Sequence, residues 1–262
     1  MITIPLDEAP IGLYTEELLK KQWVGAINIK GVNEGRCQIV DIRGEHALQV
    51  TYVKGKCGPK EGGASWRYMF GKSYDDFTVE YKVMFAEDFN FRRGGKLPGL
   101  CGGTNPRGGT FRFSAKEGFS ARIMWRELGL LEQYVYFMDQ EPKKKYGTDF
   151  LWMKGEDKNV RMKSEWWKTI GIRSEDRSYI VPGVWYTFKT RVKMNTPGIE
   201  DGGITSWLDE NLVLDTKLRF RNDNLFAIDS LQFVTYFGGS GDEWAPEKDE
   251  KVYFKDFKFI KK

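Results

Sequence analysis

Residues 77–85 read Phe77-Thr78-Val79-Glu80-Tyr81-Lys82-Val83-Met84-Phe85, and apolar side chains occupy every odd position. Three of the four even positions are polar. Successive side chains of a β-strand point to opposite faces, so this alternation predicts a strand with one face in a core and the other toward solvent.

Comparable segments recur along the chain, separated by the clusters of Gly, Pro, Asn and Asp that are typical of turns. They are Ala47–Val53, Thr110–Phe113, Phe119–Trp125, Tyr134–Met138, Trp185–Val192, Ile204–Leu208 and Val252–Ile260. Many strands joined by turns indicate an all-β fold, either a sandwich or a barrel.

Helical periodicity is convincing in one segment, from Thr15 to Trp23. Thr15 can cap the helix, and Glu16 and Glu17 suit the positive end of the helix dipole. We therefore expect one or two short helices, which leave the all-β class unchanged.

Length and composition favour a single folded domain that spans residues 1–262. Hydrophobic residues make up 40% of the 262 residues and aromatic residues 15%, which is enough apolar material for a large core. Apolar runs such as 225–228 and 231–234 are far shorter than the roughly 20 residues of a membrane-spanning helix. We expect neither a membrane anchor nor a membrane partner.

Charge and cysteine content narrow the class of ligand. The net charge is +4 and the basic residues are dispersed, which disfavours a nucleic-acid partner but suits a polyanion. Cys37, Cys57 and Cys101 lack CxxC spacing, so they allow one disulfide without indicating which. Residues 1–8 lack the basic start and apolar stretch of a secretion signal, so no export signal is predicted.

A lysine-rich stretch, residues 141–173, carries Trp152, Trp166 and Trp167 and shows no clear alternation. We interpret it as a long loop or flap, because long loops in compact domains are often functional. Aromatic rings among lysines would suit a polymer of sugar acids. The alternative is a solvated loop that its tryptophans hold against the sandwich.

Two predicted strands place polar side chains on a shared face. Residues two apart in a strand project to the same side, so Ser120 lies beside Arg122, and Tyr134 beside Tyr136. Residues 127–132 resemble a hairpin connection between the two strands. Pairing through it is expected to bring Arg122 close to Tyr136, with Ser120 and Tyr134 extending the patch.

Residues 94–103 read Gly-Gly-Lys-Leu-Pro-Gly-Leu-Cys-Gly-Gly and hold Lys96 among glycines and a proline. We interpret this segment as a loop in which the backbone can approach a ligand closely. Taken singly, Lys96 could be an exposed cation, and the two residue pairs an ordinary polar strand face and an aromatic pair. Their order and spacing favour one site.

The lysine segment, followed by Ser120-Ala121-Arg122 and Tyr134-Val135-Tyr136, resembles the signature of polysaccharide lyase family 14. That family includes alginate lyases of Chlorella viruses and molluscs, and fungal glucuronan lyases are similar to it. Further similarity covers most of the chain, at residues 48–52, 62–66, 236–240 and 254–257.

The resemblance implies a β-jelly roll, a sandwich of two antiparallel sheets with a concave groove, that depolymerises polyuronates by β-elimination. It places lysine, serine, arginine and two tyrosines in the groove, and each has a match here. These candidate catalytic residues are Lys96, Ser120, Arg122, Tyr134 and Tyr136.

The chemistry of elimination gives independent reasons for these residue types. Removing H5 next to a uronate carboxylate is difficult while that carboxylate is negative, so Arg122 can neutralise it and Ser120 can donate a further hydrogen bond. A base must then take H5 and an acid must protonate O4. Lys96 and both tyrosines are candidates, and the sequence leaves their roles open. His46, the only histidine, lies outside all of these motifs.

The expected partner is an acidic polysaccharide, of β-1,4-glucuronate or of the mannuronate type found in alginate. Such substrates lie in cell walls or extracellular matrix, and we expect a monomer that acts there. No cofactor is required by the mechanism, although Asp242 and Asp256 are candidates for a structural Ca²⁺ site.

Two other functions compete with this hypothesis. A carbohydrate-binding jelly roll without catalysis would use the same arginine and aromatic rings. A sandwich-fold glycoside hydrolase needs two carboxylates across a groove, and the sequence holds no Glu-x-Asp-x-x-Glu strand motif to supply them.

Overall fold

The computed structural model describes residues 1–104, 106, 117–139, 146–162, 174–239 and 241–262. In these ranges the chain forms antiparallel strands and two short α-helices, which confirms the predicted all-β class. The helices are α1, Glu16–Gln22, and α2, Gly58–Glu61. The strands are β1 (Ile2–Thr3), β2 (Gly12–Leu13), β3 (Ala26–Lys30), β4 (Cys37–Ile42), β5 (Glu45–Tyr52), β6 (Ala64–Tyr74), β7 (Asp76–Phe85), β8 (Gly94–Gly103), β9 (Gly118–Arg126), β10 (Leu131–Tyr136), β11 (Thr148–Leu151), β12 (Val160–Arg161), β13 (Tyr186–Lys193), β14 (Gly202–Leu208), β15 (Asn211–Leu218), β16 (Ile228–Phe237) and β17 (Glu250–Lys261).

The described strands form two sheets. The nine-stranded sheet has the order β15-β14-β13-β7-β17-β5-β4-β2, and β1 pairs with β17. The eight-stranded sheet has the order β12-β11-β10-β9-β8-β16-β6-β3. Both sheets combine strands that are consecutive in sequence with strands from distant parts of the chain, such as β17 beside β5 and β16 beside β6, so each sheet is complete only when those parts come together.

The core fills the space between the sheets and is rich in aromatic rings. Trp66 of β6 stacks on Phe233 of β16, with ring centroids 3.8 Å apart. Trp23, just after α1, lies 5.5 Å from Trp66 and 5.0 Å from Phe257 of β17, so it contacts both sheets. Burial of these large apolar side chains is the main favourable term that holds the sheets together.

The segment 77–85 forms most of β7, between β13 and β17 of the nine-stranded sheet. All five of its odd-numbered apolar residues are buried in the core. On the other face, Glu80 accepts a 3.0 Å hydrogen bond from Lys258 of β17. The structure therefore confirms the alternation that predicted this strand.

Helix α1 begins at the predicted cap. The Thr15 side chain accepts a 3.2 Å hydrogen bond from the Leu18 backbone N–H, and Leu19 is fully buried. A cap of this kind stabilises a helix by about 1 kcal/mol. Among the described residues, no helix is long and apolar enough to cross a membrane.

Two strands lie within the lysine-rich stretch that the sequence analysis interprets as a loop. β11 pairs with β10, and β12 pairs with β11, so the loop prediction is wrong for this part. All four residues of β11 are buried, and a strand buried on both faces shows no alternation. Trp152 is also fully buried, 5.2 Å from Phe188 of β13 between ring centroids.

Some of the sequence predictions concern residues outside the described ranges. These are the strand Thr110–Phe113, the two ends of the lysine-rich stretch at 141–145 and 163–173 with Trp166 and Trp167, and Ser240. They stay predictions.

Residues 94–103 form β8, a strand in the middle of the eight-stranded sheet, and the loop prediction for them is wrong. The glycines allow neighbouring segments of the sheet to come close. A Cβ on Gly99 would lie 2.1 Å from the Ala121 carbonyl oxygen of β9, and one on Gly102 would lie 1.8 Å from the carbonyl oxygen of Ala227. Both distances are far below contact, so only glycine fits at these positions.

We predict that Gly99→Ala destabilises the protein by about 3 kcal/mol, because the strands must move apart to admit a methyl group. The matched control is Gly238→Ala, next to β16, where a Cβ would meet its nearest atom at an ordinary 3.7 Å. The control is expected to change the free energy of unfolding by less than about 1 kcal/mol. Equal thermal unfolding midpoints for the two variants would contradict this account of β8.

Candidate active site

Strand β8 carries Lys96 to the centre of the eight-stranded sheet. On one side Lys96 is in register with Met124 of β9, and on the other with Tyr236 of β16. β9 pairs in turn with β10, which carries Tyr134 and Tyr136. The candidate residues therefore come from three adjacent strands, β8, β9 and β10.

All five candidates lie on the face of this sheet that points away from the core, which we call the site face. Their neighbours in sequence, including Ala121, Ile123 and Val135, belong to the core cluster between the sheets. Tyr134 and Tyr136 instead form a separate apolar cluster with Met124. The structure brings together Lys96, Ser120, Arg122, Tyr134 and Tyr136.

The register of β9 and β10 differs from the predicted one. Arg122 pairs directly with Tyr134, and Ser120 with Tyr136. The connection is a tight turn in which Leu128 has a φ of 61°, so β10 starts earlier, at Leu131. The expected proximity is nevertheless present, because the Arg122 guanidinium carbon lies 5.6 Å from the Tyr134 ring centroid and 5.5 Å from that of Tyr136.

The Lys96 amine lies against the face of Tyr134, 3.8 Å from the ring centroid, and 3.2 Å from the Met124 sulfur. In the described part of the chain it has no carboxylate partner. Burial and the nearby charges of Arg122 and Arg126 lower the pKa of Lys96 well below its usual range. A lowered pKa gives this amine a neutral form that can accept a proton.

The two phenols form a connected pair. The Tyr134 and Tyr136 hydroxyl oxygens are 3.1 Å apart, and the Gly147 backbone N–H donates to the Tyr134 hydroxyl at 2.9 Å. Burial raises the pKa of Tyr134 well above its usual value; Tyr136 and Asp149 add to the rise. Tyr134 therefore keeps its proton, and because its oxygen already accepts from Gly147, that proton is available for donation.

Arg122 is a buried cation without a salt bridge. Its side chain is only 5% exposed, yet in the described ranges it forms no hydrogen bond or ion pair with another side chain. The Ser120 hydroxyl is fully buried and is also without a hydrogen-bond partner there. Buried polar groups normally have partners, so this pair is suited to bind an anionic group.

A second arginine on the site face is neutralised. Arg126 bonds Glu132 at 2.7 Å through Nε and Asp149 at 3.0 Å, and all three side chains are buried. Burial raises the pKa of Glu132 to about 8, with the Arg126 cation opposing the rise and Asp149 adding to it. One cation therefore faces two buried carboxyl groups, and the raised pKa of Glu132 means that this group gives up its proton less readily than an exposed glutamate.

This network was not predicted from the sequence, although the alternation along β9 and β10 indicates it. Arg126 is an even number of residues from Ser120 and Arg122, so its side chain projects to the same face of the sheet. Glu132 shares that face with Tyr134 and Tyr136 for the same reason. Glu132 was assigned to the hairpin connection, whereas it lies inside β10.

Other polar residues lie apart from the site face. His46 is on β5 of the nine-stranded sheet, and Asp256 of β17 pairs with Lys82 at 2.8 Å. Cys37, Cys57 and Cys101 are free thiols, so the permitted disulfide is not formed. The described residues contain no group of three or more His, Cys, Asp or Glu side chains placed to hold a metal ion.

The sequence of this chain matches the family model described as polysaccharide lyase 14 over residues 41–257. The chain belongs to polysaccharide lyase family 14. The match includes strands β8, β9 and β10, which carry the five candidate residues, and it confirms the resemblance stated from the lysine segment and the two paired motifs. No curated protein sequence matches the chain.

Solved structures of lyases share the fold. A marine family 14 alginate lyase from Aplysia kurodai is 24% identical, with a TM-score of 0.76 over 100% of both chains. Alginate lyase vAL-1 from Chlorella virus is 22% identical, with a TM-score of 0.70 over 97% of this chain and 100% of its own. An endo-β-1,4-glucuronan lyase from Trichoderma reesei is 12% identical, with a TM-score of 0.58 over 91% and 92%. These similarities confirm the predicted jelly-roll sandwich.

We predict that Arg126→Met destabilises this family 14 enzyme by about 3–5 kcal/mol, because it leaves Glu132 and Asp149 buried without a cation. The matched control is Arg93→Met, which breaks an exposed ion pair with Glu243 of 3.5 Å. We expect the control to lose less than about 1 kcal/mol. Urea unfolding measures both, and similar losses would show that the network adds no stability.

Proposed function

We propose that the protein cleaves a β-1,4-linked polyuronate, of glucuronate or of the mannuronate type found in alginate, by β-elimination. The observation that carries the proposal is Arg122, a buried cation with no anionic partner among the described residues, beside the Lys96 amine and the Tyr134 phenol. The site thus offers one group for a carboxylate, one proton acceptor and one proton donor.

In the proposed first step, Arg122 and Ser120 bind the carboxylate of the uronate whose O4 carries the glycosidic bond. Neutralising this carboxylate stabilises the negative charge that develops when H5 leaves. The neutral Lys96 amine takes H5 and becomes an ammonium. The electron pair left on C5 forms the C4=C5 double bond as the C4–O4 bond breaks.

In the proposed second step, Tyr134 gives its proton to the departing O4. Its phenolate then lies against two cations, Arg122 and the newly charged Lys96, which stabilise it. Tyr136 is 3.1 Å away and can share the charge by donating a hydrogen bond. A proton transfer from Lys96 to Tyr134 restores both groups, so the steps need only side chains of this chain.

The directions of the pKa shifts support the proposed roles of Lys96 and Tyr134. A base is effective when its pKa is lowered toward the working pH, as it is at Lys96. An acid must keep its proton, and Tyr134 does so because burial raises its pKa. The sequence alone left this assignment open.

Structural relatives support the substrate class. Alginate lyase Aly36B, 20% identical with a TM-score of 0.76, has been solved as a double mutant in complex with alginate trisaccharide. The Trichoderma reesei relative is described as a glucuronan lyase. Both polymers are polyuronates, which agrees with an acidic polysaccharide as the partner.

We predict that the wild-type protein produces an unsaturated, ultraviolet-absorbing uronate end on at least one of polyglucuronate, polymannuronate and polyguluronate. Lys96→Ala and Tyr134→Phe should each lower kcat by about 10²–10⁴, the usual contribution of a proton-transfer group. Matched controls are Lys258→Ala and Tyr253→Phe, on β17 of the other sheet, which should retain full turnover.

The assay also separates the competing functions. Binding of these polymers without any absorbance change would favour the carbohydrate-binding alternative. Chain cleavage without a double bond would favour hydrolysis. Full turnover in Tyr134→Phe would remove that residue from proton transfer.

We predict a bell-shaped dependence of kcat/KM on pH. The base must be neutral, so the rate rises through the Lys96 pKa, which lies below the ordinary lysine value of about 10.4. The acid must be protonated, so the rate falls only above the ordinary tyrosine value of about 10, where Tyr134 ionises. An acidic limb centred at or above 10.4 would contradict the role of Lys96, and circular dichroism at each pH controls for unfolding.

A further inference from the structure

A glutamine on the site face has no part in the proposed proton transfers. Gln232 lies on β16 and is in register with Gly99 of β8. Gly99 in turn packs directly against β9 at Arg122, since a Cβ on it would lie 2.5 Å from the Arg122 Cα. Gln232, Gly99 and Arg122 therefore form a row across three adjacent strands.

The middle position of this row has no side chain. Neighbouring strands are about 4.8 Å apart, so the backbones of Gln232 and Arg122 are separated by roughly 10 Å, with glycine between them. A Cβ at position 99 would collide with the backbone of β9, so only glycine fits between Gln232 and Arg122. The row is thus a flat floor with a polar side chain at each end.

Both ends of the row carry buried polar atoms without partners. Gln232 is 9% exposed, and its Oε1 has no hydrogen-bond partner in the described part of the chain. Arg122 Nε and Ser120 Oγ are also buried and have no hydrogen-bond partner among the described residues. An unmade hydrogen bond of a buried group costs about 1–3 kcal/mol. Other buried atoms of the described residues also lack a partner, but these three lie together on the site face, around Gly99, and this placement points to a shared ligand.

The side chain next to Gln232 on β6 does not donate a hydrogen bond to the Gln232 carboxamide oxygen. Arg67 of β6 is in register with Gln232, but its guanidinium bonds Ser230, Asp229 and the carbonyl of Gly103 instead. Those contacts hold Arg67 away from the Gln232 oxygen.

We propose that Gln232 is a substrate-binding residue that accepts a hydrogen bond from a ring hydroxyl of the uronate held at Arg122. The inference rests on the proposed function and names a further contact of the same site. A carboxamide is uncharged, so it adds nothing to carboxylate neutralisation. Its buried oxygen needs an O–H donor, which an ionised carboxylate lacks and a sugar hydroxyl supplies.

This contact gives the site a means of selecting among uronates. Polyglucuronate and polymannuronate differ in the configuration of a ring hydroxyl, while both carry the carboxylate that Arg122 binds. A fixed acceptor on the floor of the site distinguishes such epimers, because the wrong one leaves the buried oxygen unpaired. Gln232 therefore acts on substrate choice and affinity more than on the proton transfers.

The test compares the wild-type enzyme with Gln232→Leu, which keeps the volume and removes the polar group. On the preferred polymer we expect KM to rise about three- to tenfold, the effect of one lost neutral hydrogen bond, with kcat within about twofold. The ratio of kcat/KM for the preferred polymer to that for its epimer, among polyglucuronate and polymannuronate, should fall by a similar factor. Gln49→Leu is the matched control, a 6% exposed glutamine on β5 of the other sheet, and should change neither quantity.

The outcomes separate this inference from the proposed function. Unchanged KM and an unchanged epimer ratio in folded Gln232→Leu would overturn the inference while leaving the lyase intact. A wild-type protein that cleaves no polyuronate would overturn the proposed function. In that event, calorimetric titration with uronate tetrasaccharides tests Gln232 directly, and equal affinities for wild type and variant would reject it. A thermal midpoint no lower than that of wild type shows that the variant is folded.

Discussion

The close packing of β8 between β9 and β16 is the constraint on which the rest of the molecule depends. Gly99 and Gly102 let the carbonyl oxygens of Ala121 and Ala227 come within a distance that any Cβ would forbid. Lys96 is carried on the same strand, and its position against Tyr134 is therefore set by backbone pairing, not by a flexible loop. A rigid sheet holds reacting groups more precisely than a loop does, and precise placement accounts for much of a proton-transfer catalyst's effect.

Electrostatics on the site face follow from this placement. Lys96 and Arg122 are cations in a poorly solvated environment, and the nearest carboxylates, Glu132 and Asp149, are taken up by Arg126. A buried positive charge is costly unless it is paired, so the amine lowers its cost by losing a proton, whereas a guanidinium cannot. The same physical effect thus lowers the pKa of Lys96 and leaves Arg122 as a charged group without a carboxylate partner among the described residues.

Much of the fold could be predicted from local patterns. Alternation identified β7, β13 and β17, because each has one face in the core and one in solvent. β8 and β11 could not be found this way, since glycine has no side chain to alternate and β11 is buried on both faces. The five candidate residues were recognisable from spacing and resemblance, but Gln232 was not, because its partner strand lies more than 100 residues away in sequence and only the fold brings them together.

Arg122 and Arg126 show why residue type and the alternation of side chains along a strand are insufficient to assign function. They lie four residues apart on one face of β9, and sequence periodicity treats them alike. Arg126 is opposite the end of β10 that carries Glu132, and within reach of Asp149 on β11, so its charge is neutralised internally. Arg122 is opposite Tyr134, whose ring attracts a cation without neutralising it. The difference lies only in what the next strands place across from each arginine: Arg126 is paired with carboxyl groups of this chain, whereas Arg122 has no carboxylate partner among the described residues.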